Sequence, residues 1–233
     1  MFFKLKLNIS NSIFFVFMIS VFFVSCKKNS DAVNTHKSLA QSSKKEEVLI
    51  INKDENKNRE KWQKPETVIA LLGDLKDKSV ADIGAGTGYF TFRIAMKAKK
   101  VIAIDIEKDY LDILDNLKEK LPDEIQSRIE TRLAKVNDPL LKPNEVDVVV
   151  VINTFSFIKN KKQYLEIVRK DLKPNGKIFI VDFKMKNLPI DAPDKKERLP
   201  LNKLENLLED AGFKNIKSDD TTLDYQYIVI ANK

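Results

Sequence analysis

Cysteine and histidine are almost absent from this chain. The one cysteine, Cys26, has no partner for an intramolecular disulfide. The one histidine, His36, lies in a polar stretch. These two residues cannot form a Cys/His zinc cluster, so no metal site is expected. A Ser-His-Asp triad would have to borrow its histidine from outside the folded domain. A long apolar run is missing too. The most apolar stretch, Ile13 to Val24, spans roughly 12 residues, short of the roughly 20 that cross a bilayer as a helix. There is no internal repeat. The formal net charge is +7, and Lys4 and Lys6 supply two of those charges, leaving +5 without them. The lysines are spread along the chain and interleaved with Asp and Glu. That pattern reads as a solvated face, with nucleic-acid contact the lesser alternative, so there is no strong nucleic-acid signal.

The chain opens with a short basic segment at Lys4 and Lys6, followed by the apolar run IFFVFMISVFFV and then Ser25 and Cys26. This is the pattern of a secretory signal. Val24-Ser25-Cys26 resembles a bacterial lipobox in its looser form, without a leucine three residues before the cysteine. The resemblance implies cleavage before Cys26 and lipid attachment to its sulfur. More than one acyl chain there is enough for stable anchoring. The alternative is an uncleaved amino-terminal membrane helix with an incidental cysteine. Residues 27–58 are polar and rich in Ser, Lys and Asn, as in a flexible tether. The expected division is a signal peptide over 1–25, a tether over 26–58 and a folded domain over 59–233. The expected location is a membrane in the bacterial cell envelope, or the cytoplasm if the signal reading fails.

From about residue 60, short apolar runs alternate with helical patterns. Lys64-Pro65-Glu66 can start a helix, which Gly73 ends. Strands are predicted over Ser79–Ile83, Lys100–Ile104, Arg128–Val136, Val146–Ile152 and Lys177–Asp182, and helices over Tyr89–Lys97, Lys108–Lys120 and Lys161–Leu172. The run VDVVVVI is apolar on consecutive positions, as expected of a strand covered on both faces. Such alternation implies a parallel sheet with right-handed crossovers. The ending differs. A helix over Leu201–Ala211 is followed by two strands, Phe213–Ser218 and Tyr225–Ala231, with no helix between them. They must form a hairpin, so the last strand runs antiparallel.

The most informative segment is VADIGAGTGYF, residues 80–90, placed between a strand and a helix. Glycines there allow positive φ and let a ligand approach the backbone. The spacing is G-x-G-x-G, unlike the dinucleotide G-x-G-x-x-G. Asp82 stands two residues before Gly84. Asp105 ends the next strand, 23 residues after Asp82, where a carboxylate can accept both hydroxyls of a ribose.

With these features the sequence resembles the class I S-adenosylmethionine-dependent methyltransferases over roughly residues 59–233. VADIGAGTGYF matches the family's first motif and VIAIDI its second-strand acidic motif. VDVVVVINTF matches the fourth strand, LKPNGKIFIVDF the fifth, and LEDAGF with two strands the ending. The resemblance implies an α/β, Rossmann-like seven-stranded sheet of order 3-2-1-4-5-7-6, with strand 7 antiparallel and helices on both faces. It also implies S-adenosyl-L-methionine as cofactor. Gly84, Ala85, Gly86 and Gly88 would pass close to its methionine portion and ribose, Asp82 would hold its ammonium, and Asp105 its ribose hydroxyls. Ile106 would pack on the adenine, and Asp138 would meet the adenine amino group, although Asp before Pro139 is also a common turn. Asn153 or Thr154 would contact the methionine carboxylate or the substrate. REKWQKPETVIALL resembles the amino-terminal helix of a subgroup in which it lies near the cofactor, so Trp62 would cover the ligand or serve packing. Members of that subgroup carry histidines just after the Asn-Thr pair, where this chain has Phe155 and Ser156.

Asp182 is a candidate base or a turn-forming carboxylate, so the sequence identifies no catalytic residue. Asn187 to Pro200, rich in proline, reads as a lid or a surface loop. The acceptor is expected to be a small molecule, lipid or protein. Two other functions compete with methyl transfer: a catalytically inactive binding module on the membrane surface, and an oxidoreductase with a related dinucleotide fold. The intact loop with Asp105 disfavours the first, and the glycine spacing with the terminal hairpin disfavours the second.

Overall fold

The computed structural model describes residues 59–233. The signal, Cys26 and the tether lie outside the described residues. Seven strands form one sheet: β1 Ser79–Ile83, β2 Lys100–Asp105, β3 Ile129–Leu133, β4 Val146–Ile152, β5 Leu172–Phe183, β6 Lys214–Asp219 and β7 Gln226–Asn232. Their order is β3-β2-β1-β4-β5-β7-β6. The first five are parallel, and β7 runs antiparallel to both β5 and β6. This is the expected Rossmann-like topology.

The continuous apolar run in β4 has a direct cause. Val148, Val150 and Ile152 face one core, and Val149 and Val151 face the other. Side chains alternate across a strand, so covering both faces requires apolar residues at every position. The first core is completed by α1 (Pro65–Ala70), α2 (Thr91–Ala95) and α3 (Lys108–Lys118), through Val68, Ile94 and Leu114. The short α4 (Asp123–Gln126), which the sequence reading passed over, adds Ile125. The second core is completed by α5 (Lys161–Asp171) and α6 (Leu201–Asp210), through Leu165, Val168, Leu204 and Leu208. Fully burying one such side chain contributes about 1.5–3 kcal/mol.

Several boundaries differ from expectation, and three of the differences have a visible cause. Helix α2 starts at Thr91 rather than Tyr89, because Gly88 has φ +92° and the chain is still turning there. Strand β3 stops at Leu133, and after Ala134, whose N–H still donates to the Asp105 carbonyl at 2.8 Å, Lys135 and Asp138 pair across a tight turn that takes the chain off the sheet. Strand β5 begins at Leu172, paired with Val146. The register then shifts, and Lys177 pairs with Val148, so the Lys-Pro-Asn-Gly segment is a bulge inside the strand.

Candidate functional site

The site grows from the loop after β1. The N–H groups of Gly84 and Ala85 both donate to the Ile104 carbonyl, at 2.8 and 3.0 Å, which ties the loop to β2. The Gly86 N–H donates to Asp105 Oδ2 at 2.8 Å, and Glu107 N–H donates to Oδ1 at 3.0 Å. The carboxylate at the tip of β2 therefore holds the glycine bend. Each of its oxygens keeps acceptor capacity for a further donor.

Two of the glycines serve different ends. Gly84 has φ +77°, and a Cβ there would lie 2.2 Å from Thr154 Oγ1, so the loop and the end of β4 pack too closely for any side chain. Gly86 has φ +54° and nothing within 4 Å of an added Cβ. Gly86 lines two cavities. One, of about 260 Å³, is lined by Asp82, Ala85, Arg59 and Tyr89. The other, of about 530 Å³, is lined by Asp105, Ile106, Ala134 and Val136. Gly84, Gly86, Tyr110, Asn153 and Thr154 border both. No bulky side chain separates Gly86 from Asp105.

Asp82 is 3% exposed and accepts from Thr91 Oγ1 at 2.7 Å. Burial pushes its carboxyl up to about 6, against the hydroxyl of Thr91 and the charge of Arg59, with Asp105 adding to the rise. A cationic partner in the smaller cavity would favour the ionised form of this carboxyl.

The structure brings Asp82, Gly84, Ala85, Gly86, Asp105, Ile106, Asn153 and Thr154 to these cavities. Gly88 sits behind the loop, where a Cβ would lie 2.6 Å from the Phe92 ring. Asp138 is not among the lining residues. Its carboxylate accepts from Leu140 N–H at 2.8 Å, inside the turn that ends β3. Asp182 is 1% exposed and lines none of these cavities. Its Oδ2 accepts from Ser156 N–H at 3.0 Å and Ser156 Oγ at 2.7 Å, and its Oδ1 from Phe183 N–H at 2.8 Å. Oδ2 holds the 3-10 turn Phe155–Phe157 to β5, and Oδ1 is taken by the backbone of β5 itself. Ser156 is a strut, and Phe155 is core.

A third cavity, of about 230 Å³, opens beyond the tips of β4 and β5. It is lined by Arg59, Trp62, Asn153, Phe183 and Asp191 to Pro193. Trp62 lies 5.9 Å from the Phe183 ring, tilted by 41°. The proline-rich connection reaches this rim, held by Arg198, whose guanidinium donates to the carbonyls of Pro193, Lys184 and Lys186 at 2.7, 3.1 and 2.9 Å.

Sequence reasoning missed four residues here. Arg59 stacks over the Tyr89 ring at 4.2 Å and lines two of the cavities. Gln63 and Gln226 are fully buried polar residues bonded to each other at 2.8 Å. Tyr110 lines both of the cavities that Gly86 borders. The signal for Arg59 and Gln63 was REKWQKPETV itself. Nothing in sequence joins Gln226 to them.

Comparison with known proteins agrees with this geometry. Residues 74–227 match a family model described as a methyltransferase domain. The chain is similar to phosphoethanolamine N-methyltransferase 1 of Triticum aestivum, with 34% identity over 128 residues, covering 53% of this chain and 25% of that one. It is similar to tRNA U34 carboxymethyltransferase of Ruthia magnifica, with 29% identity over 182 residues, covering 70% and 52%. Both matches thus span well under two thirds of the relative's own length. Among solved structures, a SAM-dependent methyltransferase from Aquifex aeolicus has the same fold. Its TM-score is 0.71 at 23% identity, over 79% of this chain and 97% of that one.

Proposed function

Because this chain belongs to the family of methyltransferase domains, we propose that it transfers a methyl group from S-adenosylmethionine to an acceptor entering beyond the tips of β4 and β5. The observation that carries this reading is the hydrogen bond of 2.8 Å between Gly86 and Asp105, with Gly86 lining both cavities and Asp105 the one of about 530 Å³. Gly86 leaves a cradle that a Cβ would fill, Asp105 offers acceptors to a diol, and Ile106 gives an apolar wall that is half exposed. Asp82 offers a carboxylate to an ammonium.

S-adenosylmethionine supplies an activated methyl on a sulfonium, whose departure leaves a neutral thioether. The protein's task is therefore alignment, which can account for much of the rate. Arg59, Trp62, Phe183 and Pro193 bound the acceptor's approach. No side chain of this rim is assigned as a base. Calorimetry on the full-length protein tests the reading. S-adenosylmethionine and S-adenosylhomocysteine should bind and NAD should not. Binding of NAD alone, or of none of the three, would remove it.

Cys26 is proposed to carry lipid, with residues 26–58 tethering the domain to a membrane of the cell envelope. The support is the basic, apolar and Val24-Ser25-Cys26 sequence. Wild-type protein should partition with membranes, and Cys26→Ser should shift to the soluble fraction. A Cys26→Ser protein still found wholly in membranes would count against lipidation.

A further inference from the structure

The turn after β4 displays an aromatic ring that the fold does not bury. In Phe155-Ser156-Phe157, Phe155 is core, Ser156 is tied to Asp182, and Phe157 is 56% exposed. Lys161 also fixes the turn, donating from Nζ to the carbonyls of Ser156 and Ile158 at 2.8 and 2.6 Å. Phe157 is therefore presented on a held turn, which lowers the ordering cost of any contact it makes. It lines the cavity of about 530 Å³ and also an open groove of about 770 Å³. Lys159 and Lys162 line that groove, are exposed and form no ion pair with any described residue. Lys162 stands in the first turn of α5, which carries no acid. A lysine there opposes the helix dipole, so the helix does not account for it. The 530 Å³ cavity adds a second half-exposed apolar side chain, Val136, and the exposed Lys135 beside it in sequence. Glu107 and Glu166 are the exposed carboxylates lining the same two hollows, so the exposed charge there is positive on balance.

Where the chain enters this domain points to the partner. Arg59, the first described residue, borders two cavities that also have Asn153 on their walls, and Asn153 borders the cavity of Phe157 as well. The entry point and the aromatic turn thus share the end of the sheet just past β4. Cys26, the proposed site of lipid attachment, is 33 residues before Arg59. A flexible chain of that length spans about 30 Å r.m.s., which keeps the domain within reach of a bilayer. We infer that Phe157, with Lys159 and Lys162, docks on an anionic bilayer surface, the ring entering the lipid and the lysines meeting its phosphates. The docking rests on the anchor proposed above for its local concentration. It adds an orientation to that anchor: the end of the sheet that carries the site turns to the lipid.

The chain has one tryptophan, so Trp62→Phe combined with Phe157→Trp moves the fluorescent reporter to the turn. The acylated full-length protein is reconstituted on vesicles of phosphatidylcholine alone, or with about a third of phosphatidylglycerol, part of the lipid carrying brominated chains. The anchor holds the protein on both, which flotation reads. The reporter should be quenched on the anionic vesicles only, and high salt should reverse the quenching. Adding Lys159→Glu and Lys162→Glu should lower the docked fraction by about tenfold or more, with flotation and melting temperature unchanged. Equal quenching on both vesicles, none on either, or quenching that survives the lysine reversal overturns the inference. So does a solution dimer or an RNA complex that the reversal disperses while neither vesicle quenches, since it reassigns the surface. If wild-type protein does not float with neutral vesicles, it is the anchor that has failed. The docking then stands if anionic vesicles alone hold the protein and the reversal releases it, and falls if they do not.

Discussion

Gly84 and Gly86 are two residues apart, share a positive φ and differ in what a methyl group would meet. At Gly84 the methyl collides with Thr154, which is anchored by its own bond from Oγ1 to the Ile152 carbonyl at 3.0 Å. At Gly86 it enters open cavity. The same substitution should therefore give different readouts. Gly84→Ala is expected to cost more than about 2 kcal/mol of stability, combining overpacking with a disfavoured φ. Gly86→Ala should cost about 1 kcal/mol and instead weaken S-adenosylhomocysteine, because it fills ligand space. Urea denaturation and calorimetry on both variants check this, and equal stability losses with equal binding would contradict it. Asp105 links the two effects. Replacing it with Asn leaves one of the Gly86 and Glu107 N–H groups facing an NH₂. Bonds to charged groups contribute about 1.5–3 kcal/mol, so affinity for S-adenosylhomocysteine should fall roughly ten- to a hundredfold. An unchanged affinity in Asp105→Asn would remove this residue from the site.

At the scale of elements, the turn after β4 separates two roles that one carboxylate can play. Asp182 joins Phe155–Phe157 to β5 through two hydrogen bonds accepted from Ser156, and accepts a third from its neighbour Phe183. A base would lose turnover on conversion to Asn while keeping its stability. A strut should do the reverse, and Asp182→Asn is expected to lose about 1–3 kcal/mol and keep the wild-type pH profile of whatever turnover remains. Thermal melting beside a pH–rate series distinguishes the two. The same turn marks what the sequence disclosed. Strands β1 and β4 could be read to the residue because two-sided burial writes itself as consecutive apolar positions, and the glycine loop because its spacing sits between such a strand and a helix. The role of Asp182 was not legible, since a carboxylate at a strand tip looks alike whether it meets a ligand or two backbone N–H groups. Asp138 is the parallel case: its turn, closed by Lys135, ends β3 early and takes the side chain out of the cavity. Gln63 and Gln226, 163 residues apart, read as ordinary polar residues until the fold buries them together. Hydrophobic pattern fixes where strands lie, but polar pairing depends on which strands become neighbours, and β7 reaches Asn153 only because it inserts beside β5.

Across the whole molecule, the buried acids tie stability to pH in a direction opposite to that of paired surface carboxylates. Burial raises Asp82 and Asp171 to about 6, and it raises Asp182 as well. In the unfolded chain such groups ionise near 4. Between those values the native state binds more protons than the unfolded state, so their contribution is fully present at low pH and is lost as pH rises through about 6. For Asp82 the displacement corresponds to roughly 3 kcal/mol, of which about half falls between pH 5 and 7.5. Glu145, paired with Arg132 and lowered to about 2, keeps its full contribution throughout that window and does not oppose the trend. The free protein should therefore melt several degrees lower at pH 7.5 than at pH 5, and Asp82→Asn should flatten part of that slope. A ligand ammonium reverses the demand on the same group, because it requires Asp82 ionised. Affinity for S-adenosylhomocysteine should rise through about pH 6, and at saturating ligand the melting temperature should fall less with pH than that of the free protein. Parallel pH profiles with and without ligand would mean that Asp82 is not the group that meets the ammonium.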